Sequence, residues 1–172
     1  MMNYRILCTG NPNDYTIARA VKQIFPYAEF ASRTTGFDLS FPSQSDETHF
    51  RKAIKQYNVF INSSYIGPGV QRKLLEIVDQ EWNLGNIFTI GSTAEYEGKN
   101  FQFAEYAAEK RYLRDVSLAK NDFEFKTTYM TVAGFADGHP DHVDWLNPLK
   151  VAQAIKLILD SDINIPIIGI EK

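Results

Sequence analysis

Tyr106 and Lys110 stand four residues apart in the run Tyr106-Ala-Ala-Glu-Lys110. On a helix that interval puts both side chains on one face. A free tyrosine titrates near ~10, too high to exchange protons readily at neutral pH. A neighbouring ammonium stabilises the phenolate and lowers that value, so the pair has the makings of a general acid/base for a carbonyl/alcohol couple. Taken alone, the motif is short enough to arise by chance on an exposed helix. Ser92, placed 14 residues before Tyr106, adds a hydroxyl that can hydrogen-bond a substrate oxygen and aim it at the phenol. The plainer reading of Ser92 is a serine that ends a strand and begins a turn.

The elements that must position these groups are legible as alternating short apolar runs and longer helical patterns. Residues 4–8, 28–31, 58–62, 86–90, 126–132 and 165–170 read as strands, and residues 37–39 as a further, very short one. Residues 16–25 carry Ile17, Ala20, Val21 and Ile24 at helical spacing. Further helices are expected over 49–56, 70–82, 103–119 and 148–159, the last with Pro148 in its first turn. Strands alternating with helices imply an α/β fold, a doubly wound parallel sheet with helices on both faces. In such folds the ligand lies beyond the carboxyl ends of the strands. The residues there are Thr9-Gly10, Ser32-Arg33, Asp38, Asn62-Ser63-Ser64, Gly91-Ser92 and Ala133-Gly134, which are mostly small or polar. Any one of them is explained as a turn; as a set they point to a site.

Bulk composition narrows the classes. The 172 residues fit one domain, expected over 1–172, and 44% apolar against 23% charged is an ordinary globular balance. The formal net charge of -3 gives no basic footprint for nucleic acid. Cys8 is a lone cysteine in an apolar run, read as a core residue and suited to a reducing compartment. No apolar stretch is long enough to span a bilayer and no leader pattern precedes the first strand, so a cytoplasmic protein without a membrane partner is expected. His139-Pro-Asp-His142 reads as a surface loop in preference to a metal site. Tyr65, Tyr96, Phe135 and Trp145 fall near strand ends, as pocket walls or as ordinary packing residues.

With these residues in order, the chain resembles the short-chain dehydrogenase/reductase family over nearly its whole length. Thr9-Gly10 is similar to the family's cofactor turn, and Asp38-Leu39 to its acidic residue after a third strand, which contacts adenine. Ile61-Asn62-Ser63-Ser64 resembles its Asn-Asn-Ala-Gly segment, and Ile90-Gly91-Ser92 the strand end that carries its catalytic serine. Tyr106 and Lys110 match its catalytic pair, followed by Ser117-Leu118-Ala119, and Thr131-Val132-Ala133-Gly134 stands where the family has a Pro-Gly turn. Residues 148–160 resemble its penultimate helix.

The resemblance implies a Rossmann-like NAD(P)-binding fold and hydride transfer between a nicotinamide and a small-molecule carbonyl or alcohol. Ser92 orients the substrate oxygen, Tyr106 exchanges the proton, and Lys110 lowers the phenol's pKa and holds the nicotinamide ribose. The cofactor residues implied are Thr9, Gly10, Thr16, Ile17, Arg33, Asp38, Asn62 and Ser63, together with Tyr106 and Lys110. A homodimer or homotetramer through helices 70–82 and 103–119 is expected.

There are departures. Asp14 and Thr16 stand where the family has further glycines; Gly10 followed by Thr16-Ile17-Ala18 is similar to its enoyl reductase variant, in which a hydroxyl at a helix N-terminus meets phosphate. Asp14 would repel a pyrophosphate unless it caps the helix. The interval from Asn62 to Ser92 is short, and the helix that usually bears a fourth catalytic residue, an asparagine, is trimmed; Gln71 and Asn83 are weak substitutes. The segment after Gly134 is brief, so a small lid and an open pocket are expected. At the end of the second strand Ser32-Arg33-Thr34 offers an arginine for a 2′-phosphate in place of an acid for a ribose hydroxyl, which favours NADP over NAD. The alternative is a non-catalytic dinucleotide sensor or scaffold that keeps the fold.

Overall fold

A computed structural model describes residues 4–96, 103–120 and 125–171 of the chain. Its inner strands are largely apolar because they are covered on both sides. Successive residues on a strand point to opposite faces, and here both faces are core. Ile6 and Cys8 of β1 (Ile6–Thr9), Val59 and Ile61 of β3 (Val59–Asn62), Phe88 and Ile90 of β4 (Gly85–Ile90), and Met130 and Val132 of β5 (Phe125–Val132) enter one layer. Leu7, Phe60, Ile87 and Tyr129 enter the other. Helices α1 (Ile17–Ile24) and α5 (Leu149–Ser161) cover the first layer with Ile17, Val21, Val151 and Ile155. Helices α2 (Gln44–Ile54), α3 (Val70–Glu81) and α4 (Ala104–Ala119) cover the second with Phe50, Ile54, Leu74, Val78 and Leu113.

All strand pairs are parallel, in the order β2-β1-β3-β4-β5-β6, with β2 (Glu29–Ala31) and β6 (Ile167–Ile170) at the edges. This is the doubly wound, Rossmann-like α/β architecture that the alternation of elements implied. The chain leaves β1 towards β2 on one side, and everything from β3 onward lies on the other. The connections following β1 and β3 therefore run on to opposite sides of the sheet, and sheets of this type hold ligands beyond the carboxyl ends of the strands at such a point. Among the described residues no helix is long and apolar enough to cross a membrane.

Two expected elements differ. Residues 37–39 form no strand. After β2 the chain enters a 3-10 turn over Arg33–Thr35, closed by a capping box from Ser32 and by Gly36 at a φ of 90°. Phe37 then packs edge-on against Phe50, with ring centroids 6.3 Å apart, while Asp38 closes a local turn by accepting from Ser40 N at 3.1 Å. Packing of the half-buried phenylalanine and local satisfaction of the aspartate leave this stretch nothing to gain by extending the sheet. Helix α2 begins at Gln44, not near His49, because Ser43 accepts from Asp46 N and the Asp46 carboxylate accepts from Ser43 N at 3.1 Å. This reciprocal cap starts a polar first turn that apolar spacing cannot reveal.

Beyond β5, Phe135 and Leu146 form an isolated bridge. Leu146 N donates to Gly134 O at 3.1 Å and Ala136 N to Leu146 O at 2.9 Å, so the intervening residues form a loop with joined ends.

Candidate active site

Helix α4 carries Tyr106 and Lys110 past the carboxyl end of β4. The Lys110 side chain runs inward and is 2% exposed. Its ammonium donates to Gln71 Oε1 at 2.6 Å and to the Ile90 carbonyl at 3.0 Å. Gln71, in the first turn of α3, completes the arrangement by donating to Asn62 O at 3.0 Å and to Ile90 O at 3.3 Å. Asn62 Nδ2 in turn donates to Gln71 O at 2.8 Å. One buried polar network thus joins the ends of β3 and β4 to α3 and α4. Burial is the main influence on Lys110, bringing it down to about 8, with Glu109 and Glu95 opposing the fall.

Ser92 follows β4 directly. Its hydroxyl accepts from Ala94 N at 3.2 Å and lies beside the Tyr106 phenol, which it helps to ionise. Tyr65, from the loop after β3, stands edge-on to Tyr106 with ring centroids 4.8 Å apart. The Lys110 nitrogen is 5.3 Å from the centroid of the Tyr106 ring and 5.6 Å from that of Tyr65. The three predicted groups are therefore gathered at one strand end. Their electrostatics differ from expectation: burial holds the Tyr106 phenol above its ordinary value, with the Ser92 hydroxyl opposing and Tyr65 adding to the rise. In this arrangement the phenol is a proton donor, while the ammonium is engaged with Gln71 and Ile90.

Gln71 is the residue that sequence reasoning undervalued. A signal was present: Gln71 precedes Leu74 and Leu75 by three and four residues, which sets it on the buried face of α3. Asn83 lies beyond the end of that helix.

The side expected to hold a cofactor is built differently. Gly10 has a φ of 117°, and a Cβ there would stand 2.7 Å from Ser64 Oγ and 3.1 Å from Ala18 Cβ. Only glycine lets the loops after β1 and β3 come this close. Thr9 is fully buried and serves as their tie: its Oγ1 accepts from Ser63 N at 2.8 Å and from Ser64 N at 3.0 Å. Ser63 Oγ donates to Thr9 O at 2.5 Å. The Asn62 side chain is also buried beneath the crevice, so neither it nor Thr9 forms an exposed wall; both hold the walls in place.

Thr16 is the N-cap of α1, yet its hydroxyl makes no capping bond, and no acidic residue stands in the first turn. The opening amides of a helix, here those from Ile17 onward, lack intrahelical acceptors and suit an anion. Asp14 does not cap the helix as the sequence suggested. Its carboxylate accepts from Asn11 Nδ2 at 3.2 Å, because the turn over residues 11–14 folds it back on Asn11.

Alongside lies a cavity of about 420 Å³ bordered by Gly10, Asp14, Ser32, Arg33, Thr34, Asp38 and Ser64 among others. Arg33 and Asp38 meet there at 3.4 Å. Ser40's hydroxyl and amide, and then Arg33's charge, hold the Asp38 carboxyl below its ordinary value. The residues expected to read adenine and ribose thus share one rim. A Cβ-intolerant glycine beside free helix amides and this cavity together fit a dinucleotide.

The remaining aromatic candidates are dispersed. Tyr96 reaches Thr131 at 3.5 Å. Trp145 lies on Gly134 and stacks on His142, centroids 3.7 Å apart. His142 is paired with Asp137 at 2.9 Å. Among the described residues no three His, Cys, Asp or Glu side chains gather as a metal would require. Burial pushes the Cys8 thiol up to about 12, so it is an inert core group.

No family model and no curated protein sequence matches the chain. Solved structures do match in fold. A short-chain dehydrogenase/reductase of glucose/ribitol dehydrogenase type from Brucella melitensis superposes with a TM-score of 0.70 at 14% identity, over 98% of this chain and 97% of that one. A blue fluorescent protein from a metagenomic library, in complex with NADPH, gives 0.67 at 14% identity over 98% and 97%. The 3-alpha-hydroxysteroid dehydrogenase of Pseudomonas sp. B-0831, complexed with NADH, gives 0.67 at 12% identity over 96% and 94%.

Proposed function

We propose that this chain, which has the fold of the short-chain dehydrogenases/reductases, is a divergent member of that family and an NAD(P)-dependent oxidoreductase. The observation that carries the proposal is the convergence of the Ser92 hydroxyl, the Tyr106 phenol and the Lys110 ammonium at the end of β4. The structural neighbours that hold NADPH or NADH support a nicotinamide dinucleotide as the ligand of the adjoining crevice. Thr16 and the amide of Ile17 would take its phosphates, which Gly10 lets approach closely, and Arg33 and Asp38 its adenosine end. When bound, such a cofactor supplies or accepts a hydride at a carbonyl or alcohol carbon.

The chain's own residues handle the oxygen and the proton. Ser92 donates to the substrate oxygen and sets it near Tyr106. In reduction the phenol gives its proton to that oxygen, and in oxidation the phenolate takes it back. Lys110 stabilises the phenolate form through its charge. It acts from its place beside Gln71 and Ile90, 5.3 Å from the centre of the phenol ring. Arg33 favours NADP, since a guanidinium pairs a 2′-phosphate in bidentate fashion. Self-association through the outward faces of α3 and α4 belongs to the same reading.

The test combines thermal shift with turnover. Ligand at about 100 times its dissociation constant should stabilise the fold by about 2.7 kcal/mol. NADPH is expected to raise the melting temperature more than NADH and to be oxidised with some member of a carbonyl panel. The absence of a shift with either dinucleotide would end the proposal. A second reading, a dinucleotide sensor without chemistry, is favoured by the inward ammonium of Lys110. Binding of NADPH with no oxidation across the panel would select it.

A further inference from the structure

Among the described residues two charged side chains are buried, Lys110 and Glu95. A buried charge persists only where neighbours replace its lost water. Glu95 closes the 3-10 turn Thr93–Glu95, which starts at Ser92, and its amide donates to Ser92 O at 3.1 Å. Its carboxylate accepts from Thr131 Oγ1 at 2.8 Å, from Arg114 at 3.3 Å and from the Tyr129 hydroxyl at 3.4 Å. Its backbone carbonyl accepts from Arg111 at 2.9 Å. Arg111 and Arg114 both belong to α4, so this turn is bound to the catalytic helix through side chain and main chain alike.

Tyr129 extends the connection. Its hydroxyl also lies 3.0 Å from the Lys110 carbonyl, the main-chain oxygen of the residue whose side chain is to act. The phenol reaches that point by passing over Gly91, where any Cβ would overlap it. Gly91, Glu95, Tyr129 and Lys110 thus form one chain of contacts from the strand end that bears Ser92 to the helix that bears Tyr106.

We propose that Glu95 is a positioning residue for this site: its buried carboxylate ties the Ser92 turn to α4 and holds a fixed negative charge near Lys110. The proposal rests on reading Ser92, Tyr106 and Lys110 as the reacting set. It gives the carboxylate two separable effects. One is geometric, fixing the serine against the phenol. The other is electrostatic, since burial depresses Lys110 while Glu109 and Glu95 oppose it. The other titratable groups around the pair are Tyr65, Tyr106 and Tyr129, with Arg111 and Arg114 behind Glu95.

The test follows Lys110 itself, by the carbon-13 titration of its side chain, assigned through Lys110→Met. It uses the whole chain without substrate or cofactor, so it stays readable even if the oxidoreductase reading fails. The wild-type midpoint is expected at about 8. Glu95→Gln removes a charge that favours the ammonium and should lower the midpoint by about half a pH unit or more. Arg114→Met, at a partly exposed position, removes an opposing cation and should raise it. Glu95→Asp should stay closer to wild type than Glu95→Gln. An unmoved midpoint in Arg114→Met, or in a folded Glu95→Gln, overturns the proposal; if Glu95→Gln does not fold, Arg114→Met decides. In a catalytically active preparation, Glu95→Gln should lower kcat with little change in KM, whereas equal kcat would remove the geometric half.

Discussion

The two halves of the crevice are made by opposite means. On the α4 side the ammonium of Lys110 is enclosed and held by Gln71 and Ile90, with Gln71 in turn bonded to Asn62. On the β2 side Arg33 and Asp38 meet on an open rim, and the arginine side chain is 75% exposed. The enclosed half is organised before any ligand arrives, so its energetic cost is met during folding. The open half keeps its side chains in water and must order them on binding, which reduces the affinity gained per contact. Under the proposed function, a site divided in this way would fix its proton donor and leave its choice of cofactor adjustable.

The sharpest way to break the comparison is Tyr106→Phe, which keeps the ring against Tyr65 and removes the proton. Turnover should fall by about 10²- to 10⁴-fold while dinucleotide affinity stays nearly constant. Equal turnover would remove the phenol from the mechanism. Next in size is Gln71→Leu, which leaves the Lys110 ammonium short of an acceptor and Asn62 O short of a donor. A loss of about 2–3 kcal/mol is expected in denaturant unfolding at pH 7, and a smaller one at pH 10, where Lys110 is neutral in the folded state.

The pH dependence of the wild type follows from the same group. Its folded pKa of about 8 lies below the ordinary lysine value of 10.5, so between those values the unfolded chain binds more protons and stability rises with pH. Below about pH 8 the charged, buried lysine costs roughly 3 kcal/mol. That cost is relieved as pH climbs from 8 to 10.5. Lys110→Met should flatten this part of the curve, and a curve that keeps its slope would place the titration elsewhere.

On the open side the effects should be smaller and confined to binding. Arg33→Ala is expected to weaken NADPH about tenfold and to leave NADH nearly unchanged, as read by fluorescence titration. Equal losses for both would show that the arginine does not read the phosphate. Asp38→Asn should be the mildest change. An exposed pair contributes little to stability, so the melting temperature should remain within about 2 °C of wild type, and a larger fall would show that the rim is more rigid than its exposure implies.

Much of this was legible from residue order. Strands apolar at consecutive positions, as in Val59-Phe60-Ile61, announce burial on both faces, and the spacing of Tyr106 and Lys110 announces a shared helix face. What could not be read was the direction in which a charged side chain finds its partners. The sequence shows an ammonium near a phenol; it does not show that an amide 39 residues away on another helix takes the first hydrogen bond. The stretch at Phe37 and Asp38 misleads for a related reason, because an aromatic that packs on Phe50 and an aspartate that closes its own turn look like a short strand until the neighbouring helix is in place.

The bridged ends of the loop between Gly134 and Leu146 have a consequence for engineering. Residues inserted near Gly138 would fall within a loop whose two ends are already joined at Phe135 and Leu146, so β5 and α5 need not move to receive them. The entropic cost of such an insertion grows slowly, by about 0.6 kcal/mol for each doubling of loop length. The protein therefore offers a port at which a longer cover could be grafted over Tyr15, just before α1, without redesigning the scaffold underneath.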